Sequence, residues 1–191
     1  MLAVPTNQEL SMETRRKIMD TFWNDALEVG INKINVKSLM TKVGMNRSTF
    51  YEHFSSIDDL VSKSEEEMLE EISRKVTQLS ETIPPGDSPP VKILLDIFPL
   101  YGNRIMLLMD SMDDQNFFDK LLRCLQPSIL KAYGIKCNEE ESTRIARFIL
   151  TSACGVLREH IREGSDESRL IDELIKTQNL IFYGVRPYTE G

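Results

Sequence analysis

The chain has 191 residues, 41% hydrophobic and 28% charged, with a formal net charge of −7. That apolar share is enough for a helical core of ordinary size, and the acidic balance argues against non-specific coating of nucleic acid. The longest apolar run, Ile105 to Met109, is far below the roughly 18 residues that mark a membrane span, and the N-terminal stretch lacks a basic segment leading into an apolar one. A cytoplasmic protein with no membrane partner is expected.

The charge is unevenly spread. Residues 1–55 carry seven cations against six acids, a net of +1, so the rest of the chain holds −8. Between Val29 and Tyr51 lie Lys33, Lys37, Lys42 and Arg47 and no acid. Screening over about 8–10 Å makes this local patch, rather than the total, what a phosphate would feel. The three cysteines, Cys124, Cys137 and Cys154, fit no metal-ligand spacing and read as reduced thiols; no metal and no cofactor is expected.

The polar stretch 1–10 is expected to be poorly ordered. Over 12–29, Ile18, Phe22, Ala26 and Val29 recur at helical spacing, with Met19 and Trp23 widening the stripe and Gly30 at the end. Asn35 can cap a second helix over 36–43, where Val36, Leu39, Met40 and Val43 fall at i, i+3, i+4 and i+7. Gly44 supplies a left-handed turn residue and Asn46 can cap a third helix from Arg47 to about Phe54. Within it Phe50 and Phe54 face inward as an i, i+4 pair. Ser56 and Asp59 suggest a capping box for a fourth helix reaching about Thr82. The run Pro84-Pro85-Gly86-Asp87-Ser88-Pro89-Pro90 must end that helix.

Five further helical segments follow, over 91–101, 104–110, 116–133, 138–163 and 167–183, with breaks or kinks expected at Pro99 and Pro127. Asn138 with Glu141 makes a capping box, and Gly134 and Gly164 close helices. No strand pattern and no repeat is visible. The fold class is therefore all-α with about nine helices: a three-helix helix-turn-helix domain over 12–57 and a helical domain over 58–191.

The order of these segments, VKSLMTKVG then MNRSTFYEHF then SSIDDLV, resembles the DNA-binding domain of TetR-family transcriptional regulators. Gly44 and the run from Thr49 to Phe54 carry the likeness, which spans about 14–61. The resemblance implies that the third helix enters the major groove of double-stranded DNA. Arg47, Ser48 and Thr49 at its start would contact bases, arginine pairing a guanine edge and the threonine methyl meeting a thymine methyl. Tyr51 and His53 would contact phosphates, joined by Lys37, Lys42 and the helix start at Val36. The family often has a lysine at the start of the fourth helix, where this chain has Ile57; Arg15, Arg16 or Lys33 can compensate. Against these roles, Tyr51 and His53 taken alone read as ordinary surface residues, and the lysines as a solvated face.

The resemblance also implies a homodimer on a palindromic operator, acting as a repressor. Phe148, Ile149, Ser152 and Val156, with Leu174 and Ile181, are candidates for the dimer interface. An effector pocket, for a small molecule or a protein, is expected around Tyr101, Met106, Met109, Phe117, Phe118 and Cys124, although such residues at helical spacing also make plain core. The segment 101–104 and the later 155–159 look like the dihydroxyacetone-kinase regulator type. No phosphate loop, nucleophile elbow or histidine-centred cluster is present, so no catalytic residue is assigned and no enzyme is expected. The competing reading is a dimeric helical adaptor with little DNA affinity.

Overall fold

The computed structural model describes residues 6–82, 91–111, 114–164 and 166–184. Eight α-helices occupy them: α1 (Asn7–Val29), α2 (Val36–Val43), α3 (Arg47–His53), α4 (Ile57–Thr82), α5 (Val91–Ser111), α6 (Asp114–Tyr133), α7 (Glu139–Glu163) and α8 (Glu167–Gly184), with a 3₁₀ turn at Ile31–Lys33. Among the described residues there is no strand, and no helix is long and apolar enough to cross a membrane. The proline-rich run 84–90 lies outside the described residues. The chain divides into two compact units, Met1–Glu67 and Met68–Gly191, the division falling inside α4.

In the first unit α1 starts earlier than its apolar stripe suggests. Thr6 Oγ1 accepts from Glu9 N at 3.3 Å while Glu9 Oε2 accepts from Thr6 N at 2.7 Å, and this reciprocal cap adds a polar turn to the helix. Residues 7–10 are thus helical, against the expectation of a loose terminus. The buried face of α1 is Ile18, Met19, Phe22, Trp23 and Ala26. Against it α2 turns Leu39, Met40 and Val43, and α3 and α4 add Phe50, Phe54 and Leu60, all at most 2% exposed from Leu39 onward. Burying each large apolar side chain contributes roughly 1.5–3 kcal/mol, which is what holds helices of seven and eight residues in place.

In the second unit α5, α6, α7 and α8 pack on one another, and Leu157, Leu170 and Leu174 form a core with Leu94, Leu95, Phe98 and Val156 against it. Neither proline breaks its helix: α5 runs through Pro99 and α6 through Pro127. Both prolines are exposed, so water can satisfy the carbonyl that each ring leaves without a donor. Meanwhile, buried residues on both sides, such as Ile97 and Tyr101 around Pro99, offset the roughly 3 kcal/mol that an interior proline costs.

Gly102 has a packing role. A Cβ at this position would run into the Phe98 ring one turn earlier, and that ring is itself edge-on to His160 at 5.7 Å. An exposed helical Gly→Ala change ordinarily gains up to about 1 kcal/mol. Here the sign should reverse: Gly102→Ala is expected to lower stability by about 1–3 kcal/mol through overpacking, measured by urea unfolding, whereas Gly102→Ala in a Phe98→Leu background should be close to neutral.

Candidate nucleic-acid interface

The helix-turn-helix is assembled by local chemistry. Asn35 Oδ1 accepts from Ser38 N at 3.0 Å and starts α2. Gly44 ends it in the left-handed region, at φ 77° and ψ 30°, a conformation that costs other residues roughly 1–2 kcal/mol. Its N–H donates to Met40 O at 3.0 Å, and Met45 N to the same carbonyl at 3.1 Å. Asn46 takes the cap position of α3 with an extended backbone, but its side chain makes no capping hydrogen bond; α3 starts from the backbone bond of Thr49 N to Asn46 O at 3.2 Å instead.

Once Phe50 and Phe54 point inward, their ring centroids 5.5 Å apart, the helical turn decides what faces out. Arg47 and Ser48 are exposed and Thr49 is half-buried. Tyr51, one turn after Arg47, is 59% exposed, its ring held edge-on to Phe50 at 5.5 Å and 88°. Arg47, Ser48 and Tyr51 therefore share one outward face of α3, with Thr49 at its edge. His53 is half-buried beside Phe54. On α2, Lys37 is exposed and Val36 half-buried at the helix start.

Lys42 is placed differently from a free cation. Its Nζ donates to Asp25 Oδ1 of α1 at 2.6 Å, which holds the ammonium above its ordinary pKa, chiefly through that hydrogen bond. Asp25 is only 8% exposed, so Lys42 neutralises a nearly buried carboxylate. Neither this pair nor the next two contacts is visible in local sequence patterns. Arg15 of α1 pairs with Glu67, and its guanidinium lies 5.4 Å from the Phe54 ring centroid. Lys63 of α4 lies 5.6 Å from the same centroid and donates to His53 O at 3.3 Å and to Asp59 Oδ2 at 3.0 Å. A cation thus meets the carbonyl end of α3, where the helix dipole favours it. Ile57, half-buried, opens α4, with Ser56 Oγ accepting from Asp59 N at 3.1 Å.

The residues proposed from sequence for dimer contact fall into two groups. Ile149, Leu174 and Ile181 are 4%, 0% and 4% exposed within the single chain; they belong to its own core and offer no surface to a partner. Phe148 is 62% exposed, while Ser152 and Val156 are partly exposed. Large apolar side chains also stand out from α8: Ile175, Leu180 and Tyr183.

The six pocket residues do not share a cavity. Tyr101, Met106 and Phe117 are packed core; the Tyr101 hydroxyl donates to Glu71 at 2.8 Å, and burial, then Glu71, pushes it up to about 12. Cys124 Sγ donates to Leu69 O at 3.2 Å. Met109 and Phe118 border a surface groove of about 350 Å³ with Arg147 and Arg158, each of which is paired, to Asp119 and Asp110. A different cavity, of about 70 Å³, lies among Val76, Ile97, Ile129, Tyr133, Ala153 and Gln178. Burial raises all three cysteine thiols, Cys154 to about 11, and among the described residues no cluster has the makings of a metal site.

A three-helix helix-turn-helix unit followed by an all-helical second unit defines an all-α fold that opens on a helix-turn-helix. More narrowly, it is the fold of the TetR family. A TetR transcriptional regulator from Legionella pneumophila superposes with a TM-score of 0.66 at 17% identity, covering 97% of this chain and 100% of that one. SmeT, the repressor of the Stenotrophomonas maltophilia multidrug efflux pump SmeDEF, gives 0.65 at 15%, covering 89% of each chain. The dihydroxyacetone kinase operon activator DhaS gives 0.62 at 18%, covering 92% and 97%. No protein-family model and no curated protein sequence matches the chain.

The seating of α3 should titrate. Asp59 accepts from Ser55 N at 2.8 Å and from Lys63, and these contacts, the backbone one first, hold its carboxyl below the ordinary 3.8. A depressed folded-state pKa contributes stability that is complete above the unfolded value and disappears as pH falls through the folded one. Native protein is therefore expected to exceed Asp59→Asn in urea midpoint by a constant margin near neutrality, and the margin should close below pH 3.8.

Proposed function

We propose that this chain is a sequence-specific DNA-binding transcriptional regulator that acts as a homodimer and is controlled by an effector in its second unit. The observation that carries the reading is the outward face of α3: Arg47, Ser48 and Tyr51 project together from a helix whose other side is closed by Phe50 and Phe54. Arginine and serine at the leading end are suited to base edges, and a tyrosine one turn later to a phosphate. Lys37 and the start of α2 at Val36 add a second phosphate-facing edge. His53 and Thr49 flank the face, and Lys42 contributes less than its formal charge because Asp25 occupies it.

The acidic remainder of the chain repels phosphate elsewhere and favours approach by this end. Two copies related by a two-fold axis would present two α3 helices to successive major grooves, about 34 Å apart, and would select a palindromic operator. Phe148 on α7 with Leu180 and Tyr183 on α8 supports self-association, because such large apolar groups are seldom left in water in number. The fold accommodates both a named repressor and a named activator; repression follows where the operator overlaps a promoter.

Binding of the native chain to the promoter region of its own or a neighbouring gene, followed against salt, tests the reading. Affinity should fall steeply, log K dropping by about 0.9 per phosphate contacted for each decade of salt. Arg47→Ala should relax base preference by about 1–3 kcal/mol at one position per half-site, whereas Tyr51→Phe should weaken all sequences alike. Absence of binding at low salt, with or without candidate effectors, would leave the adaptor reading in its place. Light scattering should return twice the 22.0 kDa chain mass, and Phe148→Asp with Leu180→Asp should return the chain mass itself.

A further inference from the structure

We infer that Asp25 is a positioning residue of the helix-turn-helix: by holding Lys42 it fixes the rotation of α2 on α1 and so aims α3. The two side chains come from different helices, 17 residues apart, and Lys42 Nζ donates to Asp25 Oδ1 at 2.6 Å. Asp25 belongs to the buried face of α1, with Phe22 and Ala26, and its side chain is 11% exposed against 53% for Lys42. Glu28, one turn on, adds attraction for the same ammonium.

Stability alone does not account for a carboxylate in that place. A leucine would cover the same surface with no charge to desolvate, and replacing a buried ion pair by apolar groups of similar volume is often neutral or stabilising. What an apolar contact lacks is direction. The rest of the buried surface, Ile18, Phe22, Trp23 and Ala26 of α1 and Leu39, Met40 and Val43 of α2, attracts in proportion to area and resists a small turn only weakly. A hydrogen bond weakens steeply as it leaves its line. One charge-assisted bond at the edge of that surface therefore selects a single rotation of an eight-residue helix.

That rotation is passed on to α3. Lys42 lies in the last turn of α2, and Gly44 and Met45 both donate to Met40 O, at 3.0 and 3.1 Å, so the connecting turn moves with the end of α2. Arg47 opens α3 two residues after Met45. Phe50 and Phe54 anchor α3 beyond its first turn, which leaves the direction of Arg47 to the connecting turn and hence to α2. A recognition side chain must be held to within about 10–20° of its productive direction. The consequence for DNA rests on the reading above; the orientation of α2 and α3 does not, since it can be measured without DNA.

The test compares the full native chain with Asp25→Leu plus Lys42→Met, an apolar pair, and with Lys42→Arg, which keeps the charge. Urea unfolding, backbone residual dipolar couplings and affinity for the promoter fragment are measured on each. The apolar pair is expected to keep or exceed the native urea midpoint, while its α2 and α3 couplings no longer fit the native orientation relative to α1. Its DNA affinity should fall by about tenfold or more, as for the loss of one arginine–guanine contact. Lys42→Arg should keep both the couplings and the affinity. Should the apolar pair not fold, the nearly isosteric Asp25→Asn carries the same measurements, with changes in the same direction. Unchanged couplings, or native affinity in the apolar pair, would overturn the inference. So would tighter binding with a salt slope steeper by about 0.9, the mark of an aspartate that merely withholds Lys42 from a phosphate. A native chain that binds no DNA, with couplings that shift as expected, removes the proposed function and leaves the placement of α3 by Asp25 standing.

Discussion

A helix of two turns forms too few internal hydrogen bonds to persist in water, and α3 has only the seven residues Arg47–His53. Everything that follows depends on how it is held. Phe50 and Phe54, at 0% and 1% exposure, tie its inner face to the core of the first unit. Two cations, Arg15 and Lys63, rest on the Phe54 ring, and Lys63 also meets the carbonyl end of the helix. The outward face can therefore be given over to Arg47, Ser48 and Tyr51, which stay exposed while only the inner edge of the Tyr51 ring touches Phe50. Stability and recognition are allotted to opposite sides of one short element.

Much of this was legible in the sequence because it is local. The cap at Asn35, the left-handed Gly44 and the i, i+4 phenylalanines are each fixed within a few residues, and together they imply a short helix with a polar outer face. The charge partners were not legible. Lys42 meets a carboxylate 17 residues away, a pairing set by how α1 crosses α2 rather than by any local pattern. The likeness to a known family supplied roles for Tyr51 and His53, but the backbone shows that these two differ: one ring stands out in solvent, while the other packs beside Phe54.

The second unit was harder to read for a different reason. Helical periodicity marks an apolar stripe without saying which edge of it looks inward, so neighbours such as Phe148 and Ile149, about 100° apart around the helix, fall on opposite sides of the surface. The cavity escaped notice because its wall is mostly aliphatic, with residues such as Val76, Ile97, Ile129 and Ala153, which at helical spacing read as plain core. The prolines mislead similarly: a proline breaks a helix only when nothing else supports it, and both sit on the wet side of helices packed along their other face.

The contacts that seat α3 have an implication for how ionic strength acts on this molecule. Lys63, its partner Asp59 and the Arg15–Glu67 pair all lie in partly solvated positions, where mobile ions weaken attraction. Rising salt therefore loosens the mount of the helix while it also competes for any phosphate the helix meets. A salt titration of DNA affinity would sum both effects, and its slope would overstate the number of phosphates touched. Neutral osmolytes, which leave charge screening alone, would separate the rigidity of the mount from the electrostatics of the contact.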